Sequence, residues 1–205
     1  MGLLSKKNKP SQKAYAVVTG AGSGIGRSFA LELAKRGGDV ICADIDLSSA
    51  QETVDLIQSM TSTSAYAVHC DVGLKESVHA LAEQAEQLLG HPVTLLINNA
   101  GVGLGSKFDE VSLEDWRWCM HVNLWGVIHG CHYFVPKFKQ QGFGAIINVA
   151  SAAGYTAAPE MTAYNVTKSS VLALSETLAS ELHAYNIAVN VLCPTCLLYT
   201  SDAAD

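Results

Sequence analysis

Six short apolar runs alternate with longer helical patterns along the 205-residue chain, and this alternation restricts the fold more than any other feature. The runs cover residues 14–19, 40–44, 65–71, 93–98, 145–150 and 188–193. Short continuous apolar runs are typical of strands buried on both faces, and strands separated by helices form parallel sheets. The order therefore predicts an α/β protein with one doubly wound parallel sheet, covered by helices on both faces.

The segments between these runs carry helix signals. Ile25, Phe29 and Leu33 predict the apolar stripe of the first helix, which Gly37 and Gly38 end.

Two longer helical segments are predicted in the second half of the chain. Ser112 is the predicted N-cap of a segment from Leu113 to about Gln141, with Asp115 at its third helical position. A second helix carries Tyr164 and Lys168, and its predicted core stripe consists of Val171, Leu174, Leu178 and Leu182.

The composition fits a single domain, predicted over residues 13–195 after a flexible N-terminus at 1–12. With 49% hydrophobic and 16% charged residues, the chain can bury a full core. A net charge of −6 offers no basic surface for nucleic acid or for an anionic membrane. No apolar run approaches the ~20 residues of a membrane span, and the start lacks a signal peptide pattern, so we expect a cytoplasmic protein.

The cysteines give no sign of a disulfide framework or of a metal site. Most of them lie in apolar stretches, where reduced core thiols are expected. The pair Cys193 and Cys196 has the spacing of a redox or zinc half-site, but no second pair accompanies it, so no metal is predicted. The six cysteines are Cys42, Cys70, Cys119, Cys131, Cys193 and Cys196.

A glycine-rich string at residues 20–26 directly follows the first strand-like run and opens the first helix. In that position glycines let the backbone approach a pyrophosphate, which the helix N-terminus stabilises. Asp44 follows Gly26 by 18 residues at the end of the second run, where a carboxylate can accept hydrogen bonds from an adenosine ribose. A turn or capping aspartate is the alternative. Because Ser23 and Ile45 are neutral, no basic side chain is evident there to neutralise the 2′-phosphate of NADP. The sequence therefore favours NAD over NADP.

Tyr164 and Lys168 are four residues apart on a predicted helix, 13 residues after Ser151. This spacing places both side chains on one helix face, where the Lys168 ammonium would favour the Tyr164 phenolate. Such a phenol could exchange protons with a substrate. A solvent-facing pair is the alternative for these two residues alone.

Taken together, the motifs resemble those of the classical short-chain dehydrogenases/reductases in order and spacing over about residues 13–195. That family has a Rossmann-type sheet of seven strands, of which six are recognisable here. The motifs are Thr19-Gly20-x-x-x-Gly24-x-Gly26, Asn98-Asn99-Ala100-Gly101, Asn123, Ser151 and Tyr164-x-x-x-Lys168.

The resemblance implies a role for each matching residue. Tyr164 would be the acid/base, Ser151 would hydrogen-bond the substrate oxygen, and Asn123 would hold a water that links Lys168 to solvent. Lys168 would also bind the nicotinamide ribose, while Asp71 and the backbone of Val72 would contact the adenine. The cofactor-binding set is Gly20, Ser23, Gly24, Ile25, Gly26, Asp44, Asp71, Val72, Asn98, Ala100, Gly101, Tyr164, Lys168 and Pro194.

The activity implied is hydride transfer between NAD and a secondary alcohol or ketone, in a homodimer or homotetramer formed through the helices of Asn123 and Tyr164. Residues 103–105 and 154–161 are mostly small or apolar and suggest an uncharged or apolar small-molecule substrate. Two alternatives stay open: a dinucleotide-binding protein without turnover, and an inactive gene fragment of such an enzyme.

The end of the chain departs from the family pattern. Thr195 stands where the family has glycine, and the substrate-covering segment and seventh strand do not follow. Residues 196–205, CLLYTSDAAD, resemble one translated frame of a common sequencing adapter. We therefore expect a non-native tail on an incomplete enzyme sequence.

Overall fold

The centre of the protein is one six-stranded sheet in the computed structural model, which describes residues 10–195. The strands are β1 (Tyr15–Thr19), β2 (Asp39–Asp44), β3 (Ala65–His69), β4 (Leu95–Asn98), β5 (Gly144–Val149) and β6 (Ile187–Leu192). All neighbouring strands are parallel. The six predicted strands are confirmed, and each predicted end lies within two residues of the observed one.

Helices connect consecutive strands. They are α1 (Gly24–Lys35), α2 (Leu47–Met60), α3 (Lys75–Leu89), α4 (Leu113–Met120), α5 (Gly126–Gln141), α6 (Ala153–Thr156) and α7 (Thr162–Leu182). A π-helical turn, His121–Trp125, joins α4 to α5, and a 3₁₀ turn, His183–Tyr185, follows α7. The predicted helix from Leu113 to Gln141 is therefore a continuous helical segment with a wide turn in its middle. Ser112 caps it, since its Oγ accepts from the Asp115 N–H at 3.0 Å.

The helices form two layers, one on each face of the sheet, as the alternating pattern predicts. On one face, α1 and α2 bury apolar side chains such as Leu33 and Ile57 against the sheet. On the other face, α3, α5 and α7 contribute a second core that includes Leu81, Phe134 and Val171. Burial on both faces explains why the strands read as continuous apolar runs.

The strand order β3-β2-β1-β4-β5-β6 determines where a ligand can enter. The chain builds outward from β1 to β3, then crosses back so that β4 lies on the other side of β1. At such a switch point the loops after neighbouring strands diverge, which leaves a crevice at the carboxyl ends of the strands.

A buried amide cluster links the sheet to α7. Asn98 and Asn148 are register partners on β4 and β5, and Asn98 Nδ2 donates to Asn148 Oδ1 at 2.9 Å. Asn148 Nδ2 in turn donates to Ser175 Oγ on α7 at 2.9 Å. Such a satisfied polar network specifies one arrangement of the packed elements. The cluster therefore favours a single position of α7 along β5.

The two edge strands of the described sheet are β3 and β6. Each has a single neighbour: β3 pairs with β2, and β6 pairs with β5. Ala188, Asn190 and Leu192 of β6 are exposed, whereas Ile187 is buried in the core beside α7.

Among residues 10–195, none of the helices combines the length and apolarity that crossing a membrane requires. The expectations for residues 1–9 and for the tail at 196–205 lie outside the described residues.

Candidate active site

The parallel sheet gathers the candidate residues at one edge, because all strands end on the same side. The glycine loop follows β1, Asp44 ends β2, Asp71 follows β3, the Asn99–Gly101 segment follows β4, and Ser151 follows β5.

The glycine loop packs directly against the end of β1 and the loop after β4. A Cβ on Gly26 would collide with the carbonyl oxygen of Gly20 and would lie 2.5 Å from Asn99 Nδ2. Asn99 Nδ2 also donates to the carbonyl oxygen of Thr19 at 2.9 Å. Only glycine allows α1 to begin this close to the strand, while Ser23 and Gly24 are exposed at the helix start. This exposed helix N-terminus suits the phosphates of a dinucleotide.

Asp44 lies against the glycine loop. Its Oδ2 accepts from the Gly22 N–H at 2.8 Å, and its Oδ1 accepts from the Asp46 N–H at 3.0 Å. A carboxylate oxygen can accept more than one hydrogen bond, so both oxygens can also accept from ribose hydroxyls. The turn role and the ribose role considered for Asp44 are therefore compatible.

A basic side chain near this loop escaped the sequence reasoning. The Arg27 guanidinium donates to the Gly22 carbonyl oxygen and pairs with Glu52 at 3.0 Å. The position of Arg27 one helical turn beyond Ser23 could have indicated that its side chain lies near the loop. Its pairing with Glu52 could not be predicted, because it depends on the packing of α1 beside α2.

The segment after β3 has a turn held by its own aspartate. Asp71 Oδ1 accepts from the Gly73 N–H at 2.9 Å, and the Val72 carbonyl oxygen lies 2.9 Å from His129 Nδ1 on α5. The structure thus places both residues at the carboxyl edge of the sheet beside β2. Their contact with adenine stays a prediction.

Lys168 crosses from α7 to the end of β5. Its Nζ donates to the Val149 carbonyl oxygen at 3.0 Å and lies 5.6 Å from the centroid of the Tyr164 ring. The residue is only 4% exposed. Burial lowers the pKa of Lys168 from its ordinary value of 10.5 to about 8. The two residues predicted to share a helix face therefore form a buried amine beside a partly buried phenol.

Ser151 lies two residues beyond Val149, so the Lys168 contact brings its turn beside the same helix. Ser151 Oγ accepts from the Ala153 N–H at 3.2 Å, which holds the hydroxyl at the start of α6. Ser169 Oγ donates to the Gly154 carbonyl oxygen at 2.7 Å and connects α6 to α7. The turn that carries Ser151 is thereby packed against the helix that carries Tyr164.

Asn123 occupies the π-helical turn, a feature that no sequence signal indicated. Its Nδ2 donates to the Val102 carbonyl oxygen at 2.9 Å, and its Oδ1 accepts from the Val102 N–H at 2.7 Å. Nδ2 also lies 3.3 Å from Thr167 Oγ1, the hydroxyl of the residue before Lys168. The Asn123 side chain thus connects the loop after β4 to α7, and its predicted water contact stays a prediction.

Three further predicted residues are placed around this centre. A Cβ on Gly101 would lie 3.4 Å from Lys168 Nζ, so the β4 loop passes beside the buried amine. The Pro194 carbonyl oxygen accepts from the Ala152 N–H at 3.0 Å, next to Ser151. Asn98, by contrast, directs its side chain into the buried amide cluster, where it is 3% exposed. It supports the loop and presents no side chain to the crevice.

The family model described as short chain dehydrogenase matches residues 14–204. The chain belongs to the short-chain dehydrogenase family. The doubly wound fold of this chain is similar to that of solved relatives. A crystal structure of a short-chain dehydrogenase/reductase from Burkholderia phymatum in complex with NAD superposes on it with a TM-score of 0.87. The two sequences are 38% identical, and the matched region covers 91% of this chain and 67% of the Burkholderia phymatum chain.

Relatives among curated proteins include oxidoreductases of different lengths. A cyclohexanol dehydrogenase of an Acinetobacter species is 38% identical over 188 residues, which are 91% of this chain and 74% of the relative. An oxidoreductase of Mycobacterium tuberculosis is 35% identical over 178 residues, which are 86% of this chain. The chain spans only 30% of the length of that mycobacterial relative.

The buried amine of Lys168 predicts a specific pH dependence of stability. Between pH 8 and 10.5 the unfolded chain binds the Lys168 proton and the folded protein releases it, so stability rises with pH. Relative to Lys168→Met, the wild type should therefore gain unfolding free energy across this range, by at most about 3 kcal/mol. Urea unfolding of both proteins across this pH range measures the difference.

The matched control is Lys35→Met, which removes an exposed lysine at the end of α1. Its stability should run parallel to that of the wild type at every pH. Parallel curves for Lys168→Met as well would show that the buried amine does not titrate as described.

Proposed function

We propose that the protein is an NAD-dependent oxidoreductase that interconverts a secondary alcohol and the corresponding ketone. The observation that carries this proposal is the buried Lys168 amine, 5.6 Å from the Tyr164 ring and bonded to the end of β5 two residues before Ser151. The glycine loop and Asp44 lie along the same edge of the sheet. One extended ligand could therefore contact both groups.

The residues present fit a nicotinamide dinucleotide. Gly26 lets α1 begin against the Gly20 carbonyl oxygen, a close approach that suits the pyrophosphate, and Asp44 offers acceptors for the adenosine ribose. Lys168 offers donors for the nicotinamide ribose. When bound, the nicotinamide supplies the hydride acceptor or donor for the reaction. The family relative from Burkholderia phymatum, which was solved with NAD, supports this assignment.

The protein side chains account for the proton. Oxidation of an alcohol requires that its oxygen lose a proton, and the Tyr164 phenolate is the group that would accept it. The Ser151 hydroxyl would donate a hydrogen bond to the same oxygen, and the positive charge of Lys168 favours the phenolate. In the reductive direction Tyr164 would return the proton to the oxygen.

The preference for NAD over NADP rests on the charges around Asp44. A 2′-phosphate would meet the Asp44 carboxylate with like charge. The adjacent Ile45 is neutral and 64% exposed, and the guanidinium of Arg27 is paired with Glu52. Among the described residues, no cation beside Asp44 is thus free to neutralise a 2′-phosphate.

The substrate side favours an uncharged or apolar alcohol. Residues 103–105 and 154–161 border the catalytic residues in sequence and carry one charged side chain, that of Glu160. The relative named cyclohexanol dehydrogenase is in keeping with this class. A panel of cyclic and linear secondary alcohols tests the substrate class, and exclusive turnover of charged alcohols would contradict it.

A homodimer or homotetramer is proposed through the surface of α4, α5 and α7. Leu113, Trp118 and Trp125 are exposed on the α4 to α5 segment, which supports a contact surface. Phe134 on α5 is fully buried and belongs to the core, so it takes no part in this surface. Light scattering should give two or four times the mass of the chain, and a monomeric mass would overturn the proposal.

A cytoplasmic location is supported by four free and buried thiols, Cys42, Cys70, Cys119 and Cys131. Reduced cysteines are typical of a reducing compartment. Recovery of the native protein from an exported or membrane fraction of its host would contradict this location.

Removal of the Tyr164 hydroxyl should separate catalysis from cofactor binding. Tyr164→Phe should lower kcat by roughly 10² to 10⁴, because the phenol beside Lys168 is the proposed group that exchanges the proton. The dissociation constant for NAD, measured by fluorescence titration, should stay close to the wild-type value. Turnover is followed by the absorbance of reduced nicotinamide with a secondary alcohol.

Tyr185→Phe, an exposed phenol in the turn after α7, is the matched control and should retain full activity. Full turnover by Tyr164→Phe would refute Tyr164 as the acid/base. Tight NAD binding by a wild type that turns over none of the alcohols or ketones would favour a dinucleotide-binding protein without catalysis.

Substitution of Asp44 should change the cofactor preference. Asp44→Ala should narrow the preference for NAD by removing the charge that repels a 2′-phosphate, and Ile45→Arg added to it should help to reverse the preference. Asp55→Ala on the exposed face of α2 is the control. The measurement is kcat/KM with each cofactor, and a wild type that favours NADP would contradict the assignment.

A further inference from the structure

The carbonyl oxygens of two consecutive peptide groups in the glycine loop accept hydrogen bonds from side chains of α1 and α2. The Arg27 guanidinium donates through Nη2 to the Gly22 carbonyl oxygen and through Nε to Thr53 Oγ1 at 3.0 Å. Thr53 Oγ1 donates to the Ala21 carbonyl oxygen at 2.8 Å. We call this pair of side chains the Arg27–Thr53 clamp.

The clamp determines where the neighbouring N–H groups point. In a trans peptide the carbonyl oxygen and the N–H point in opposite directions, and residues 10–195 contain no cis peptide. The peptide between Ala21 and Gly22 is held at both ends, because the Gly22 N–H donates to Asp44 Oδ2 at 2.8 Å. The next peptide has its carbonyl oxygen on Arg27, so the Ser23 N–H points away from Arg27.

Arg27 acts on the loop through this carbonyl and not through a free positive charge. Glu52 neutralises the guanidinium at 3.0 Å, and Thr53 and the Gly22 carbonyl oxygen take further donors. Thr53 is fully buried, and of the two carbonyl oxygens within reach of its hydroxyl, that of Ala21 at 2.8 Å is closer than that of Ser49 at 3.3 Å, so the shorter contact is the one to the loop.

We propose that Arg27 and Thr53 are positioning residues, which hold the glycine loop in the conformation that binds the pyrophosphate of the cofactor. This inference rests on the proposed function and adds two residues that contact no substrate. Loss of either side chain would remove a contact to a loop carbonyl and loosen the loop peptides before the cofactor binds, while Asp44 would still accept from the Gly22 N–H. The cost would appear in binding of phosphate-bearing ligands.

The test compares three ligands, NAD, ADP and adenosine, on the full chain. Thr53→Val removes the hydroxyl and keeps the shape, and Arg27→Met removes the donors and keeps an apolar stem. Each variant should bind NAD and ADP roughly 10-fold more weakly, the loss that about 1.4 kcal/mol produces. Adenosine, which has no phosphate, should bind as it does to the wild type.

Two controls accompany these variants. Thr53→Ser restores the hydroxyl and should recover wild-type binding. Arg36→Met removes an arginine from the other end of α1, where it pairs with Glu32 at 2.7 Å, and should leave all three affinities unchanged.

Amide hydrogen exchange on the cofactor-free protein provides a readout independent of binding. The Gly22 amide should exchange faster in Arg27→Met and Thr53→Val than in the wild type, and Arg36→Met should match the wild type. Wild-type affinities in both clamp variants, or an equal loss for adenosine and NAD, would overturn the positioning role. A wild type that binds neither NAD nor ADP would refute the proposed function, and unchanged Gly22 exchange in the clamp variants would refute the clamp on its own.

Discussion

The parallel pairing of β1 with β4 and of β4 with β5 is the constraint on which the rest of the protein depends. It places the carboxyl ends of three central strands side by side, so the glycine loop, the Asn99–Gly101 segment and Ser151 open at one edge. The helices then complete the site from both faces: α1 presents its N-terminus after the loop, and α7 brings Lys168 to the Val149 carbonyl oxygen. A site of this kind needs no dedicated cavity, since the switch point between β1 and β4 already separates the loops.

Lys168 is a position at which burial of a titratable group lowers the stability of the fold. Burial of an ammonium group disfavours its charged form, and a single carbonyl oxygen at 3.0 Å is the described hydrogen-bond acceptor. A buried amine at the end of a strand is difficult to explain by packing alone, whereas one beside a phenol and a serine turn is what the proposed proton exchange requires. The same reasoning separates Asn98 from Asn123: both are buried amides, but one joins β4 to β5 and the other joins the β4 loop to α7.

Much of the fold was predictable because its signals are local and repeated. The apolar runs located all six strands, and Ser112 was correctly predicted as a cap because its own hydroxyl makes the bond. The motif spacing also brought Tyr164 and Lys168 onto one helix face. The π-helical turn at Asn123 could not be predicted, since five residues are too few to reveal a change of period. The Arg27–Thr53 clamp was missed for a different reason: its residues are 26 apart in sequence, and only the packing of α1 beside α2 brings them together.

The most direct test of the central claim, that one dinucleotide joins the glycine loop to the Tyr164 and Lys168 pair, is a crystal structure of the protein with NAD. The nicotinamide ribose should lie within hydrogen-bond distance of Lys168 Nζ, while the adenosine ribose of the same molecule should contact Asp44. The pyrophosphate should lie at the start of α1. A cofactor bound in the opposite direction, with its adenosine beside Lys168, or bound to another surface, would contradict the account.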